Sequence, residues 1–265
     1  MRKIKIFSVI LLIISTIAYI AFQGYIRMVQ DNVPPVITCS DDELTVSVTA
    51  AEEELMSGVK AEDNRSGDVS ATLVIEDISA FTEDGVRIIT YAAVDESMNV
   101  GRCERTLIYE DYQPPVFKMS APLCFTEGQN VDILSCVSAE SVLDGSLKSN
   151  IKYSLENTVN STVTGSYPVQ FRVTDSCGKT IYLDTVIEIL DRSYAAIDVR
   201  LSSYLVYVEK GAGFDPNAYY SGADVEGALT VNSTVDTSTP GTYYVDYIMN
   251  SNGLAGKSRL VVVVQ

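Results

Sequence analysis

"TVTGSYPVQFRVTD", residues 162–175, alternates strictly. Tyr167, Val169, Phe171 and Val173 are apolar, and Pro168, Gln170, Arg172 and Thr174 stand between them. A period of two puts one set on each face of a pleated strand, so the stretch predicts a half-buried β-strand. The same frame recurs as "TEDGVRIITYAAVD" (82–95) and "STPGTYYVDYIMNS" (238–251). Gly85, Gly165 and Gly241 lie 80 and then 76 residues apart, and Asp95, Asp175 and Ser251 keep that spacing.

Other landmarks follow the same period. "DNVPPVITC" (31–39) is matched by "DYQPPVFKM" (111–119), and Asp191 opens "DRSYAAIDV", so Asp31, Asp111 and Asp191 stand 80 apart. Between opening and strand lie "NRSGDVS" near Gly67, "SVLDGSLKS" near Gly145 and "ADVEGALTV" near Gly227. Landmarks in constant order at near-constant spacing mark a tandem repeat. Short apolar runs such as "LTVSV", "TLIYE", "TVIEIL", "YLVYVE" and "RLVVVVQ" supply further strands. About seven short strands per unit suit a small β-sandwich. Proline starts a strand but cannot sit centrally in a sheet, so Pro34-Pro35 and Pro114-Pro115 read as stiff module starts. The third unit replaces them with "SYAA", which predicts a looser or differently packed joint.

Ahead of the repeat, Arg2, Lys3 and Lys5 precede an uncharged run over residues 6–26. Such a run is long enough to cross a bilayer, and its basic flank predicts a cytoplasmic N-terminus. A secretory signal would be shorter and end in a small-residue site, so the run reads as an uncleaved anchor. The expected organisation is residues 1–30 as basic tip and signal-anchor, then domains at 31–110, 111–190 and 191–265, all-β and exported. The 265-residue chain has a formal charge of −16 and no His. Acidic surface argues against nucleic acid as a partner, and the missing His removes the commonest general base and metal ligand. A carboxylate-based hydrolase is the enzymatic alternative, but no acidic pair stands out from the turn acids, and the chain reads as non-enzymatic.

Two families enter on particular residues. "PPVITC" with "GVRIITYAAVDESMNVGRCERTLIYED" resembles the hyalin repeat, an extracellular immunoglobulin-like module with a cysteine near each end. "VDTSTPGTYYVDYIMNSNGLAGKSRLVVVV" resembles bacterial surface immunoglobulin-like repeats, and the second unit is intermediate. The resemblance spans residues 31–265 and implies three tandem immunoglobulin-like β-sandwiches used for adhesion, binding or spacing. It also points to a bacterium, where the acceptor patterns at Asn64, Asn160 and Asn232 would go unglycosylated.

Cys39 and Cys103 fall on Met119 and Leu183 one repeat later. A pair that turns from cysteine to apolar together suggests facing interior positions, hence a Cys39–Cys103 disulfide. Cys136 and Cys177 lie near the Gly145 and Asp175 turns; if these share one end of the sandwich, as in related modules, the two can bridge. A Cys124–Cys136 bridge is the rival; otherwise Cys124 is a buried thiol. Glu62, Asp63, Asp68, Asp95, Asn99 and Asp111 raise calcium, but no D-x-N-D-N linker or D-x-D-x-D-G loop is present, so they read as turn carboxylates and no metal or cofactor is expected. Among the 16 tyrosines, Tyr219, Tyr220 and Tyr244 are the candidate binding residues, an aromatic platform on the last unit. The blander reading puts Tyr243 and Tyr247 in the core with Tyr244 on the surface.

The expected protein is therefore a single-pass cell-membrane protein with extracellular C-terminal domains, binding an extracellular protein or glycan, the third domain making the contact. A structural stalk or scaffold subunit of an envelope assembly is the alternative.

Overall fold

A computed structural model describes residues 2–82 and 85–265. After one helix the fold is all-β, in tandem immunoglobulin-like sandwiches. Compactness divides the chain into Met1–Asp111 and Tyr112–Gln265.

In the first unit, α1 (Arg2–Val29) contains Ile6–Met28, a span of mean hydropathy 2.3, long and apolar enough to cross a membrane. One sheet joins β1 (Val36–Cys39), β3 (Val59–Asp63) and β4 (Gly67–Asp68). The other runs β2 (Glu43–Val46), β7 (Val100–Tyr109), β6 (Arg87–Val94) and β5 (Val74–Ile78), with β2 parallel to β7. The prolines lead directly into β1, as a residue without an amide hydrogen must. Ile89, Tyr91 and Ala93 of β6 face inward onto Ile37, Leu55, Val59 and Leu107. The buried Tyr91 hydroxyl donates to Leu55 O at 2.6 Å, which satisfies the polar tip of a core ring. Gly101 is required by a close approach: a Cβ there would lie 2.0 Å from Pro35 O.

The second unit holds two sandwiches. The first has β8 (Val116–Met119), β10 (Val137–Ser141) and β11 (Gly145–Ser146) against β9 (Cys124–Thr126), β12 (Lys152–Leu155), β13 (Gly165–Thr174) and β14 (Thr180–Leu190). The second has β15 (Val199–Leu201) and β17 (Tyr220–Ala223) against β16 (Leu205–Val208), β18 (Ala228–Ser233), β19 (Gly241–Ser251) and β20 (Leu254–Val264). Again β9 lies parallel to β14, and β16 to β20. The alternating strands bury Val169, Phe171 and Val173 in one core and Val245, Tyr247 and Met249 in the other. Phe171 and Tyr247 stand six residues after their glycines, where Tyr91 stands after Gly85; the Tyr247 hydroxyl donates to Pro216 O at 2.5 Å.

The joint between these two sandwiches is packed. Leu205, Tyr207, Tyr244, Val261 and Val263 of the last one cover the core of the one before it. The Tyr207 hydroxyl donates to Phe117 O at 3.4 Å. This joint, which has no Pro-Pro, is closed by side chains from both sandwiches.

Candidate functional site

The cysteines separate into one neighbouring pair and three scattered thiols. Cys39 ends β1 and Cys103 lies on β7, in the facing sheet, and their sulfurs are 3.9 Å apart. Burial, then the adjacent Cys103, push the Cys39 thiol up. The expected Cys136–Cys177 bridge does not fit. The Gly145 and Asp175 turns do share one end, for Ser176 N donates to Asp144 Oδ2 at 2.9 Å. Cys136 precedes β10 and sits at its opposite end, where its carbonyl accepts from Ser120 N. The length of β10, roughly 16 Å at about 3.3 Å per residue, separates the two, well beyond the 7 Å that a bridge spans. Cys124 is partly buried with Sγ 3.6 Å from Glu188 Oε2, and burial pushes its thiol up.

The candidate tyrosines do not assemble into one platform. Tyr219 and Tyr220 are half-buried against the last core, with Tyr219 stacked on Phe214 at 5.7 Å. Tyr244 points to the other face of β19, packs on the preceding sandwich, and lies under the Arg259 guanidinium at 4.9 Å. Beside it Glu188 and Asp246 meet Lys257 and Arg259. Lys257 Nζ is 2.8 Å from Glu188 Oε1 and 2.9 Å from Asp246 Oδ2; Arg259 reaches Glu188 Oε2 at 3.1 Å and Asp246 Oδ1 at 2.6 Å. Two acids and two bases close on one another with little solvent between them.

The candidate acids accept hydrogen bonds from nearby donors. Asp63 Oδ2 accepts from Arg65 N and Ser66 N, Asp68 from Ser70 N, Asp111 from Val48 N and Ser47 Oγ, and Asp95 from Asn99 N.

An accessible surface lies on the outer face of the β12–β13–β14 sheet. Lys152, Arg172 and Tyr182 stand opposite one another across the three strands, and Ser154, Gln170 and Asp184 form the next row. Tyr182 is 57% exposed; Tyr153, which alternates to the other face of the edge strand, leans against the core ring of Phe171 at 6.2 Å and stays 45% exposed at the sheet edge. Together they line a groove of 640 Å³. Among the described residues neither Lys152 nor Arg172 is held in an ion pair, so both cations face solvent in a strongly acidic chain. Sequence reading passed over this row because its members are the polar half of the alternation that identified the strands; their pairing across β12, β13 and β14 needs the register.

No family model matches the chain. An uncharacterised 81.3 kDa protein of Acholeplasma phage L2 is 25% identical over 169 residues, 62% of this chain and 23% of that protein. The chain thus spans about a quarter of the curated relative it matches. Among solved structures, the CBM51-2 and INT domains of Clostridium perfringens ZmpB, in complex with GlcNAc, are 15% identical, covering 87% of this chain and 42% of that one at a TM-score of 0.24. Human CDH23 EC21-23 is 12% identical over 87% of this chain and 100% of that one, at 0.23. The protocadherin GammaB4 extracellular domain is 11% identical over 88% and 50%, at 0.21.

Proposed function

We propose that this chain is a membrane-anchored surface module that binds an extracellular glycan or protein through the outer sheet face of its second sandwich. The carrying observation is the Lys152–Arg172–Tyr182 row, with Tyr153 at the rim of the same groove. Exposed aromatic rings offer apolar area with a polar tip, and unpaired cations attract carboxylate or sulfate groups on a partner. In this reading α1 anchors the chain and residues 31–265 lie outside the cell, which agrees with the resemblance to hyalin repeats and bacterial surface repeats. This reading gives the chain no catalytic role: it lacks histidine, the commonest general base, and no acidic pair in the sequence stands out from the turn acids. The contact moves from the third domain to the second because Tyr219, Tyr220 and Tyr244 are engaged in packing.

The test is an array of acidic and neutral glycans probed with the full chain in detergent micelles. Arg172→Ala and Tyr182→Ala should each weaken capture about tenfold, a loss of about 1.4 kcal/mol, with Tyr220→Ala as comparison. Binding that depends on Tyr220 and not on Arg172 would return the contact to the third sandwich. Retention of α1 is checked by the intact mass of membrane-extracted protein. The stalk reading draws support from the buried ionic joint, which stiffens the second unit; binding to no glycan, with co-purification of envelope proteins only when α1 is present, would favour it.

A further inference from the structure

Three buried acids meet near the exit of α1. Asp31, Asp63 and Asp95 are 6%, 6% and 4% exposed. One carboxylate oxygen from each lies within 4.8 Å of the other two. The acids come from three separate segments: the stretch between α1 and β1, the end of β3, and the turn after β6. Asp31 Oδ1 accepts from Val33 N at 3.0 Å. Asp63 uses Oδ2 for Arg65 N and Ser66 N, at 2.7 and 3.0 Å. Asp95 accepts from Asn99 N at Oδ1 and from Asn99 Nδ2 at Oδ2, both at 2.7 Å. That leaves Asp31 Oδ2 and Asp63 Oδ1 buried without any hydrogen-bond partner. Such oxygens are uncommon in folded proteins, because a buried charge without a partner opposes folding.

The nearest counter-charge is insufficient for three acids. Arg65 Nε stands 3.9 Å from Asp31 Oδ2, its side chain is 49% exposed, and its Nη2 donates to Met28 O at 3.2 Å. One guanidinium against three carboxylates leaves the cluster short of positive charge. Asn99 gathers the site further: Nδ2 also reaches Asp31 O at 3.2 Å and Val33 O at 3.4 Å, which places two main-chain carbonyls beside the acids.

The geometry points to a divalent cation site formed by Asp31, Asp63 and Asp95, with calcium as the ion. Oxygen-only donors favour a hard cation over zinc, whose sites are built mainly on histidine nitrogen and cysteine sulfur. Irregular placement on three separate segments suits calcium's variable coordination, whereas magnesium demands near-octahedral geometry and keeps several waters. The second sandwich supplies an internal contrast. Its register pairs Ser141 with Gly145 as Asp63 pairs with Gly67, so Ser141 replaces Asp63. Asp175, in the place of Asp95, receives the Tyr112 hydroxyl at 2.5 Å. One acid with a donor needs no cation; three acids with orphan oxygens do. The sequence expectation of no metal rested on missing linear motifs, and this site has none because its ligands come from three separate segments.

The test uses the full chain in detergent micelles, stripped with EDTA and titrated calorimetrically with CaCl2 or MgCl2. One tight calcium per chain is expected, with a rise of several degrees in the first melting transition. Asp63→Asn and Asp31→Asn should each weaken calcium at least tenfold, and Asp68→Ala, at an exposed turn acid, should leave it unchanged. In EDTA, Asp63→Asn should melt no lower than wild type, since it relieves like-charge repulsion. Absence of calcium binding by wild type overturns the site, and that measurement needs no variant to fold. Binding unchanged in both Asn variants overturns it too, and magnesium binding as tightly as calcium overturns the choice of ion.

Discussion

At one end of the first sandwich three carboxylates face one another with a single half-exposed guanidinium at ionic distance among the described residues. In the second unit Glu188 and Asp246 face Lys257 and Arg259, acid against base on both sides. Both clusters bury charge, and burial is costly in either case. The balanced cluster is complete within the chain: every carboxylate oxygen in it has a cationic partner. The unbalanced one has oxygens that the chain leaves over. Net charge inside a cluster, rather than the number of acids, therefore separates a structural ionic joint from a candidate ion site.

The strongest way to break the contrast is to unbalance the second cluster. Lys257→Met leaves Glu188 and Asp246 sharing Arg259, and should lower the stability of the second unit by about 4 kcal/mol in urea melts. Adding Glu188→Met should recover most of that loss, because a buried pair and an apolar pair differ little. Its pH limits follow from its shifts. Burial opposes ionisation of Asp246, but Arg259 and Lys257 prevail and depress its pKa below the ordinary 3.8. The stability it lends is thus complete above that value and lost as pH falls through the lower folded one. For Lys257 burial also opposes the charge, Glu188 and Asp246 prevail, and the pKa rises above 10.5, so its share holds below 10.5 and fades only in stronger alkali.

A covalent contrast comes next. Oxidation should join Cys39 to Cys103 and leave Cys124, Cys136 and Cys177 as thiols in non-reducing peptide maps. Closing the 64-residue separation should stabilise the first unit by about 3 kcal/mol, lost in Cys39→Ser. A Cys136–Cys177 product would show that β10 does not hold them apart. The smallest expected effect sharpens the comparison of equivalent positions. Burial, then Asp175, push the Tyr112 hydroxyl up, so it stays a donor. Tyr112→Phe removes it from a buried carboxylate and should cost the second unit about 2 kcal/mol, with no rescue by calcium; rescue would mean the two ends are closer in kind than their residues suggest.

The repeat was legible because its carriers are local. Val169, Phe171 and Val173, or Val245, Tyr247 and Met249, declare a strand face by alternation alone, and Gly165 and Gly241 open those strands while Gly85 stands two residues before β6. What escaped reading depends on contacts between distant turns. Asp31, Asp63 and Asp95 each look like an ordinary loop acid until the sandwich closes. Lys257 and Arg259 sit on the polar alternation of "GKSRLVVVV", which reads as solvent-facing; only the packed joint turns that side inward. Cys136 was misplaced because its neighbourhood to the Gly145 turn along the chain is a full strand length in space.

The parallel pairs β2–β7, β9–β14 and β16–β20 also have a mechanical meaning. In each sandwich a strand near the entry lies alongside the strand at the exit, both running the same way. Tension applied through the two ends loads the rungs between them in shear, so they must rupture together rather than unzip singly. The registers span Glu43–Val46, Cys124–Thr126 and Leu205–Val208, the middle one a residue shorter. The expectation is a chain that holds under pull and yields first at β9–β14. Single-molecule stretching with Pro substitutions at Phe125 and at Thr45 would check it, the former lowering the earliest rupture force and the latter leaving it unchanged.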